Sequence, residues 1–247
     1  MFNSNKLHHD FNEYVWSKLP NAFNLTQPLQ LLQWAQPRKM IKINLHHTFL
    51  ILDMSALNCL ENAIVFDSQL GLLKTIQTTR ELMRQYWHQA DYWHRPLLEQ
   101  IARVNHITAS KIPFIKGDVC MIPLGASTQK STSWFSSHLL TAQVKRTAKQ
   151  TELSYGQRVY VTVAGSLKVI QRQVKDSQQM QAALRLNMAT NLQFMCGELP
   201  ATEVDQQAWG YGQSLMRDFA WYAYESKGLI FTTQEIRQTV NNFFGKI

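Results

Sequence analysis

Short apolar runs bounded by turn-forming residues constrain the fold of this chain more strongly than any other feature. Residues 49–52 form an uninterrupted apolar run, which is typical of a strand covered on both faces. Residues 63–66 and 70–76 predict two further strands, and the sequence DSQLG between them is rich in turn formers. Residues 119–122 predict another buried strand after a Gly-Asp turn. These segments predict a sheet formed by the middle of the chain.

Weaker patterns extend this set of strands. Ile41, Ile43 and Leu45 alternate with polar residues, which predicts that the first strand begins near residue 40. Residues 156–172 contain a strand-like segment, VYVTVAG, and a second apolar segment, LKVI, with a Gly-Ser break between them.

The region after residue 176 has helical rather than strand-like spacing. Residues 205–228 have a helical pattern, and Thr232 or Thr233 is predicted to cap a final helix that carries Glu235 in its first turn. The chain is therefore predicted to have an α+β fold, with several short, mostly antiparallel strands in the middle and helices concentrated at the C-terminus. A core-facing stripe at four-residue steps comprises Met180, Leu184, Met188 and Leu192.

The stretch from residue 78 to 104 contains two Tyr-Trp-His triplets, and its pattern leaves the conformation open. The triplets lie six residues apart, a step that puts them on one face of a strand but not of a helix. His88 and His94 would share a metal ion only in an extended chain, and the alternative is an aromatic-rich surface or core segment. Pro96 is predicted to end whatever element precedes it.

Three prolines interrupt the first forty residues and predict short pieces, including a helix within residues 10–19. We therefore divide the chain into an N-terminal extension (1–40), a core (41–195) and a C-terminal helical segment (196–247).

Positive charge is concentrated in the middle of the chain. The whole sequence contains 25 Lys and Arg against 17 Asp and Glu, a formal net charge of +8. Residues 74–175 contain fifteen of the basic and five of the acidic residues, a net of +10, whereas 1–73 are neutral and 176–247 have a net of −2. A positive surface attracts polyanions because their condensed counterions are released, which predicts nucleic acid as the partner. The alternative is a basic surface that serves only solubility.

The sequence contains little that would support catalysis. Motifs of phosphate-binding loops, dinucleotide-binding folds, zinc proteases and serine hydrolases do not occur, and the acids form no paired cluster. Cys59, Cys120 and Cys196 are too far apart in sequence for a zinc or disulfide pattern and predict buried thiols. No apolar run approaches the ~20 residues that span a bilayer, and the N-terminus does not resemble a secretory signal. We expect a cytoplasmic protein that is not an enzyme and has no cofactor, metal or membrane partner.

A polar loop and the basic residues around it are the candidate nucleic-acid contacts. Residues 125–133 place hydroxyl, amide and ammonium donors together, which suit phosphate oxygens and the acceptor-lined minor groove of A·T pairs. Trp134 and Phe135 follow the loop and are predicted to anchor it in the core. An ordinary polar turn between strands would have the same composition. The candidate DNA-binding residues are Arg80, Arg84, Lys111, Lys116, Thr128, Gln129, Lys130, Ser131, Lys145, Arg146 and Lys149.

The order of these segments resembles that of the competence transcription factor (ComK) family of low-G+C Gram-positive bacteria. The similarity rests on NAIVFDSQLGLLKTI, HITASKIPFIKGDVCMIPLGASTQKSTSWFSSHLL and VYVTVAGSLKVIQRQVKDSQQMQAAL. The middle piece contains the family's apolar strand and polar Ser/Thr loop, followed by a Trp and a His, here Trp134 and His138. The last piece, with Ser166 and Gln173, is similar to the family's strand-to-helix segment.

The resemblance covers residues 45–195 and implies a transcription activator of genes for DNA uptake. Members of the family bind paired A/T-rich boxes as multimers and contact the minor groove, and some are delivered by an adaptor to a Clp protease. The implied partners are therefore double-stranded DNA, further copies of this chain on DNA, and such an adaptor. The chain departs from the family pattern in residues 81–103, in the first forty residues and in the region from residue 205. Promoter choice, oligomeric state and proteolytic control are therefore the properties that the resemblance implies least directly.

Two other classes of function stay open from the sequence. A protein-interaction module with a non-specific basic surface would use the Trp- and Tyr-rich C-terminal region as its contact surface, and charge reversal across residues 111–149 would leave it intact. A nucleic-acid enzyme would need a catalytic site that the sequence does not reveal, because clustered acids are absent.

Overall fold

The computed structural model describes residues 11–88, 94–108, 111–125, 131–195, 232, 234 and 235. The chain divides into two compact units. The described residues of the first unit are 11–88, 113–125 and 131–177, and those of the second are 94–108, 111–112, 178–195, 232, 234 and 235. The fold is α+β, as predicted, and all the observed strands lie in the first unit.

Two sheets form the first unit. The strands, in chain order, are β1 (Ala22–Asn24), β2 (Gln36–Pro37), β3 (Thr48–Asp53), β4 (Ala63–Asp67), β5 (Gly71–Thr75), β6 (Phe114–Lys116), β7 (Val119–Pro123), β8 (Trp134–Ser136), β9 (Leu140–Thr147), β10 (Gln150–Tyr155) and β11 (Val159–Ala164). The larger sheet has seven strands in the order β2-β5-β4-β3-β8-β7-β6, and the smaller has four in the order β1-β11-β10-β9. The β1–β11 and β2–β5 pairs are parallel and the other observed pairs are antiparallel.

The described residues also form α-helices and a 3₁₀ helix. They are α1 (Glu13–Trp16), the 3₁₀ helix (Pro28–Gln33), α2 (Thr79–His88), α3 (His94–Val104) and α4 (Leu167–Met195). The boundary between the two units falls within α4, after Ser177. Within the described residues, no helix combines the length and the apolar character that crossing a bilayer requires.

Burial on both faces of the seven-stranded sheet explains the uninterrupted apolar runs. Every residue of β4 and β7 is buried, and β3 is buried up to Leu52. On one face, Ile51 and Val65 belong to the same buried cluster as Leu82 and Tyr86 of α2. A strand with no solvent-facing side has no polar alternation, so its sequence is a continuous apolar run.

The four-stranded sheet covers the opposite face through aromatic contacts. The ring centroids of Phe49 and Tyr155 are 4.7 Å apart, and those of Phe66 and Phe23 are 5.4 Å apart. Each pair joins a strand of the larger sheet to a strand of the smaller one. Trp16 packs on both Phe49 and Phe23. Such ring pairs contribute about 0.5–1.5 kcal/mol each beyond their buried area.

Residues before 41 complete both sheets. The edge strands β1 and β2 come from this segment and pair with β11 and β5. Trp16 is buried, and its indole N–H donates to the carbonyl oxygens of Ser68 at 3.0 Å and Asp67 at 3.3 Å. The helix predicted within residues 10–19 is present as the single turn of α1. The division of the chain into three segments stays a prediction. Residues 11–40 belong to the same compact unit as β3, β4 and β5.

Ile41 and Ile43 are buried but do not form the predicted start of a strand, since β3 begins only at Thr48. Their backbone N–H groups donate to the side-chain oxygens of Gln77 (2.7 Å) and Gln85 (3.1 Å), respectively. The Gln85 amide also donates to the carbonyl oxygen of Ile41 at 2.8 Å. Side-chain amides therefore satisfy the backbone groups that a neighbouring strand would satisfy.

The stretch with the Tyr-Trp-His triplets is helical on both sides of residues 89–93, which lie outside the described residues. Thr78 and Glu81 form a capping box before α2, in which the Thr78 N–H donates to the carboxylate at 2.8 Å and the Glu81 N–H donates to the Thr78 hydroxyl at 3.2 Å. The Thr78 N–H and hydroxyl both donate to the Glu81 carboxylate and hold the pKa of Glu81 below its ordinary value. Pro96 lies in the first turn of α3, where proline is tolerated, so the prediction that it ends an element is wrong.

Other sequence predictions have mixed outcomes. Two predicted hairpins, β4–β5 and β6–β7, are confirmed. The burial of Met180 and Leu184 on α4 is also confirmed. Thr232 caps the turn that carries Glu235, and its hydroxyl lies 2.8 Å from the carboxylate. The side chains of Met188 and Leu192 and the segment 205–228 lie outside the described residues. The LKVI segment is not strand-like but is the first turn of α4. Strands β8 and β9 have no counterpart in the sequence prediction, because β8 is short and β9 is exposed along both faces. Strand β10 has no counterpart either.

Replacing Trp16 by Ala is expected to lower the free energy of unfolding by about 3 kcal/mol or more, because a buried ring is lost from between the sheets. The matched control is Tyr14→Ala in the same helical turn, where the ring is 73% exposed. That variant is expected to change the free energy by no more than about 0.5 kcal/mol. Urea denaturation followed by circular dichroism measures both values. Equal stability of the two variants would show that Trp16 of the N-terminal segment does not stabilise the fold.

Candidate nucleic-acid interface

Three candidate residues project from the hairpin of β9 and β10, which we call the basic hairpin. Lys145 and Arg146 lie near the end of β9, and Lys149 lies in the turn; all three are exposed. No acidic residue occurs in the sequence between Asp118 and Glu152. Because β9 is the edge strand of its sheet and every residue of it is at least partly exposed, solvent reaches both of its faces.

Arg146 differs from its neighbours because its charge is already paired. Its guanidinium donates to a carboxylate oxygen of Glu152 through Nε at 2.8 Å and also through Nη2. The Glu152 side chain is 9% exposed and that of Arg146 is 56% exposed. The register of β9 against β10 shifts at this point, from the Thr147–Gln150 pair to the Lys145–Thr151 pair, so Arg146 is an extra residue of β9. The guanidinium therefore serves first as the partner of a nearly buried carboxylate.

The start of α4 lies against the turn of the basic hairpin. The N–H of Gly165 donates to the carbonyl oxygen of Lys149 at 2.8 Å, and the Thr151 hydroxyl donates to the carbonyl oxygen of Gly165 at 2.9 Å. Gly165 has φ +138°, a conformation that residues with a Cβ rarely adopt. The carbonyl oxygen of Ser166 then accepts the N–H of Ile170 at 3.1 Å, which begins the helix.

The polar loop after β7 is closed by hydrogen bonds at its base. The N–H of Leu124 donates to the carbonyl oxygen of Ser133 at 2.8 Å, and the N–H of Gly125 donates to the Thr132 hydroxyl at 2.9 Å. The Ser133 hydroxyl accepts the N–H of Asp53 at 2.9 Å. Two of the hydroxyls that the sequence offers to DNA are thus used to hold the loop in place. Among the candidate DNA-binding residues of this loop, Ser131 is partly exposed, and Thr128, Gln129 and Lys130 lie outside the described residues.

Helix α4 also passes the base of this loop. The side-chain amide of Gln173 is buried and donates to the carbonyl oxygen of Pro123, the last residue of β7, at 3.1 Å. The first three turns of α4 therefore connect the turn of the basic hairpin with the base of the polar loop. Two of the regions predicted from the sequence are brought together by the first turns of α4, which the sequence prediction did not assign to a helix.

The remaining candidates lie elsewhere. Arg80 and Arg84 are exposed on α2, which packs on the face of the seven-stranded sheet opposite the four-stranded sheet. Lys116 is exposed at the β6–β7 turn, two residues from Asp118. Lys111 is partly exposed and belongs to the second unit. The structure therefore does not gather the predicted residues on a single surface.

Three basic residues of α4 are absent from the sequence prediction. Lys168, Arg172 and Lys175 are all exposed, and their spacing of four and three residues puts them on one face of the helix. The spacing can be read from the sequence, but it indicates a shared face only if the LKVI segment is helical.

The residues that carry the family resemblance have structural roles here. Trp134 and Phe135 are buried, as predicted. The ring nitrogen Nδ1 of His138 lies 3.1 Å from both the backbone N and the backbone O of Cys120, so it accepts from one or donates to the other according to its tautomer. Gln173, as described above, binds the backbone at the end of β7.

The potential metal ligands and two of the three thiols can be placed in the described part of the chain. No three His, Cys, Asp or Glu side chains there come together as a metal site. Burial raises the pKa of the Cys120 thiol, which disfavours the reactive thiolate. Cys59 is a partly buried thiol that donates to the carbonyl oxygen of Glu61 at 3.2 Å, whereas Cys196 lies outside the described residues.

Comparison of the chain with protein-family models, with curated proteins and with solved structures finds no match.

Arg146→Ala is expected to destabilise the first unit, because it leaves the nearly buried Glu152 carboxylate without its partner. Water screens the exposed guanidinium, so the expected cost is about 1–2 kcal/mol. Lys149→Ala removes the same charge from the same hairpin and is expected to leave stability unchanged. The double variant Arg146→Ala/Glu152→Gln should recover most of the loss. Urea midpoints of the four proteins test this; equal midpoints for the two single variants would contradict the structural role of the pair.

Proposed function

We propose that the protein is a DNA-binding transcription activator that prefers A/T-rich duplex. The observation that carries the proposal is the basic hairpin, which is exposed on an edge strand in an acid-poor segment and adjoins the start of α4. Lys145 and Lys149 are its phosphate or groove contacts. A two-stranded ribbon fits the major groove of a duplex, so contacts to the narrower minor groove would be made by its projecting side chains.

Duplex rather than single-stranded nucleic acid fits the chemistry of this surface. Single-stranded binding depends on exposed aromatic rings on which unpaired bases stack. Tyr155 is the one aromatic residue of β9 and β10, and it is fully buried between the sheets. The segment 167–177 of α4 contains no aromatic residue. The surface offers charge and hydrogen-bond donors without stacking platforms, which supports recognition of a paired backbone.

A preference for A/T-rich sites follows from the same charges. Tracts of A·T pairs have a narrow minor groove with enhanced negative potential, and an inserted cationic side chain gains affinity there without reading individual bases. The family resemblance adds the biological setting to the proposal: activation of competence genes in the cytoplasm, assembly of several copies on paired boxes, and delivery by an adaptor to a Clp protease. No enzymatic activity, cofactor or metal enters the proposal.

A protein-interaction module is the second candidate, and exposed apolar side chains favour it. Leu60 is 79% exposed, Met40 is 78% exposed and Ile76 is 51% exposed. The side-chain amide of Asn62 donates to the carbonyl oxygen of Ile76 at 2.6 Å, which brings two of these segments together. This role is compatible with DNA binding. If it were the whole function, removal of the basic hairpin charges would have no effect on activity.

The protein is expected to bind a duplex with spaced A/T tracts at least about tenfold more tightly than a G/C-rich duplex of equal length. Fluorescence anisotropy titrations at several salt concentrations measure both affinities. The affinity should fall steeply with salt because several phosphates are neutralised. Equal and weak binding to the two duplexes would show that the surface binds DNA only through its positive charge, without a preference for A/T-rich sequence. Failure to bind either duplex at low salt would exclude the proposed function.

The double variant Lys145→Ala/Lys149→Ala is expected to reduce the slope of log affinity against log salt by about two, since each phosphate contact contributes about 0.9. Arg80→Ala/Arg84→Ala is the matched control, because it removes the same charge from the opposite face of the seven-stranded sheet. It should leave the slope nearly unchanged. A larger loss in the control than in the hairpin variant would move the interface to α2.

A further inference from the structure

The first half of α4 presents a basic stripe that the proposed function does not require. Its members Lys168, Arg172 and Lys175 are exposed, whereas Ile170, Gln173 and Ser177 are buried. At 100° per residue the two sets lie on opposite sides of the helix. The helix is therefore anchored along one side and directs its positive charge away from the core.

This stripe is not balanced by acids. No ion pair joins its members to a carboxylate in the described part of the chain. Asp176 is one turn beyond Arg172 but does not pair with it, and no acid occurs in the first turn of the helix. Lys168 lies in that first turn, where the positive end of the helix dipole disfavours a cation. The arrangement is unfavourable for helix stability and becomes favourable when an anion lies alongside.

We propose that the first half of α4 is a second DNA-contacting element, in which Lys168, Arg172 and Lys175 neutralise phosphates beside the basic hairpin. The inference rests on the proposed function and adds a site to it. The three residues span seven positions, about 10 Å along the helix axis. Phosphates of one strand rise about 3.4 Å each along the duplex axis and also wind around it, so a stripe of this length reaches up to about three of them.

Contacts within the first unit place this helix where duplex on the hairpin would reach it. The Gly165–Lys149 backbone bond joins the turn of the hairpin to the residues that precede α4. The Gln173–Pro123 bond holds the next turns beside the base of the polar loop. In this proposal the DNA-contacting residues of the two elements are Lys145, Lys149, Lys168, Arg172 and Lys175.

The test compares two triple variants that remove the same charge. Lys168→Ala/Arg172→Ala/Lys175→Ala is expected to lower the salt slope on the A/T duplex by about three and to weaken binding at least about tenfold near physiological salt. The control is Arg38→Ala/Lys39→Ala/Lys42→Ala, whose residues are exposed next to β2, the edge strand at the far side of the larger sheet from β7. The control should change the slope by less than about one, since charges beyond the Debye length are screened.

A charge-preserving variant separates electrostatic contact from a structural role. Lys168→Arg/Arg172→Lys/Lys175→Arg keeps every charge and is expected to retain the wild-type slope. Circular dichroism and urea midpoints verify that all three variants fold. If wild-type protein binds duplex and the alanine stripe variant keeps its slope, the inference is overturned while the proposed function stands. If wild-type protein does not bind duplex, both are overturned.

Discussion

The contact between the two sheets, centred on Phe49 and Tyr155, is the interaction on which the remaining structure depends. It covers one face of the seven-stranded sheet, while α2 covers the other, so the central strands have no solvent-facing side. Burial of that area supplies most of the free energy that opposes the conformational entropy of the chain. The contact also fixes the four-stranded sheet, and with it the edge strand β9 and the hairpin that β9 forms with β10.

The same layering divides the positive charge of the chain. Packed sheets are separated by about 10 Å, and α2 lies beyond the far face of the larger one. Charges on α2 and on the basic hairpin are therefore separated by more than a Debye length, which is about 8 Å at physiological salt. The net charge of a sequence segment is therefore larger than the charge that any one bound ligand contacts. The local density of charge matters instead, and the basic hairpin and the start of α4 adjoin each other through the Gly165–Lys149 bond. Even there Arg146 contributes less than its neighbours, because Glu152 neutralises it.

The family resemblance and the geometry bear on different parts of the molecule. The residues that carry the resemblance pack in the core or bind backbone groups, as Trp134, His138 and Gln173 do. They hold β7, the polar loop and α4 in their relative positions. The residues that we propose to contact DNA are exposed, and exposed charges tolerate substitution because few neighbours constrain them. A likeness in the first group therefore concerns residues that pack or bind backbone, whereas the role of the second group depends on measured binding.

The amino-acid sequence by itself determined the α+β class, the buried strands, the β4–β5 and β6–β7 hairpins and the core stripe of α4 at Met180 and Leu184. Each of these is encoded locally, by apolar runs, turn formers or helical spacing. It also located the basic segment, but not the surface on which each charge lies. Only the tertiary structure decided that Ile41 and Ile43 bind glutamine side chains instead of a strand. Strand β9 was equally invisible, because a strand exposed on both faces has no hydrophobic alternation. The joining of Lys149 to the start of α4 depends on a bond between residues sixteen positions apart, Lys149 and Gly165. Such pairings are chosen by packing of the whole unit, and no local pattern specifies them.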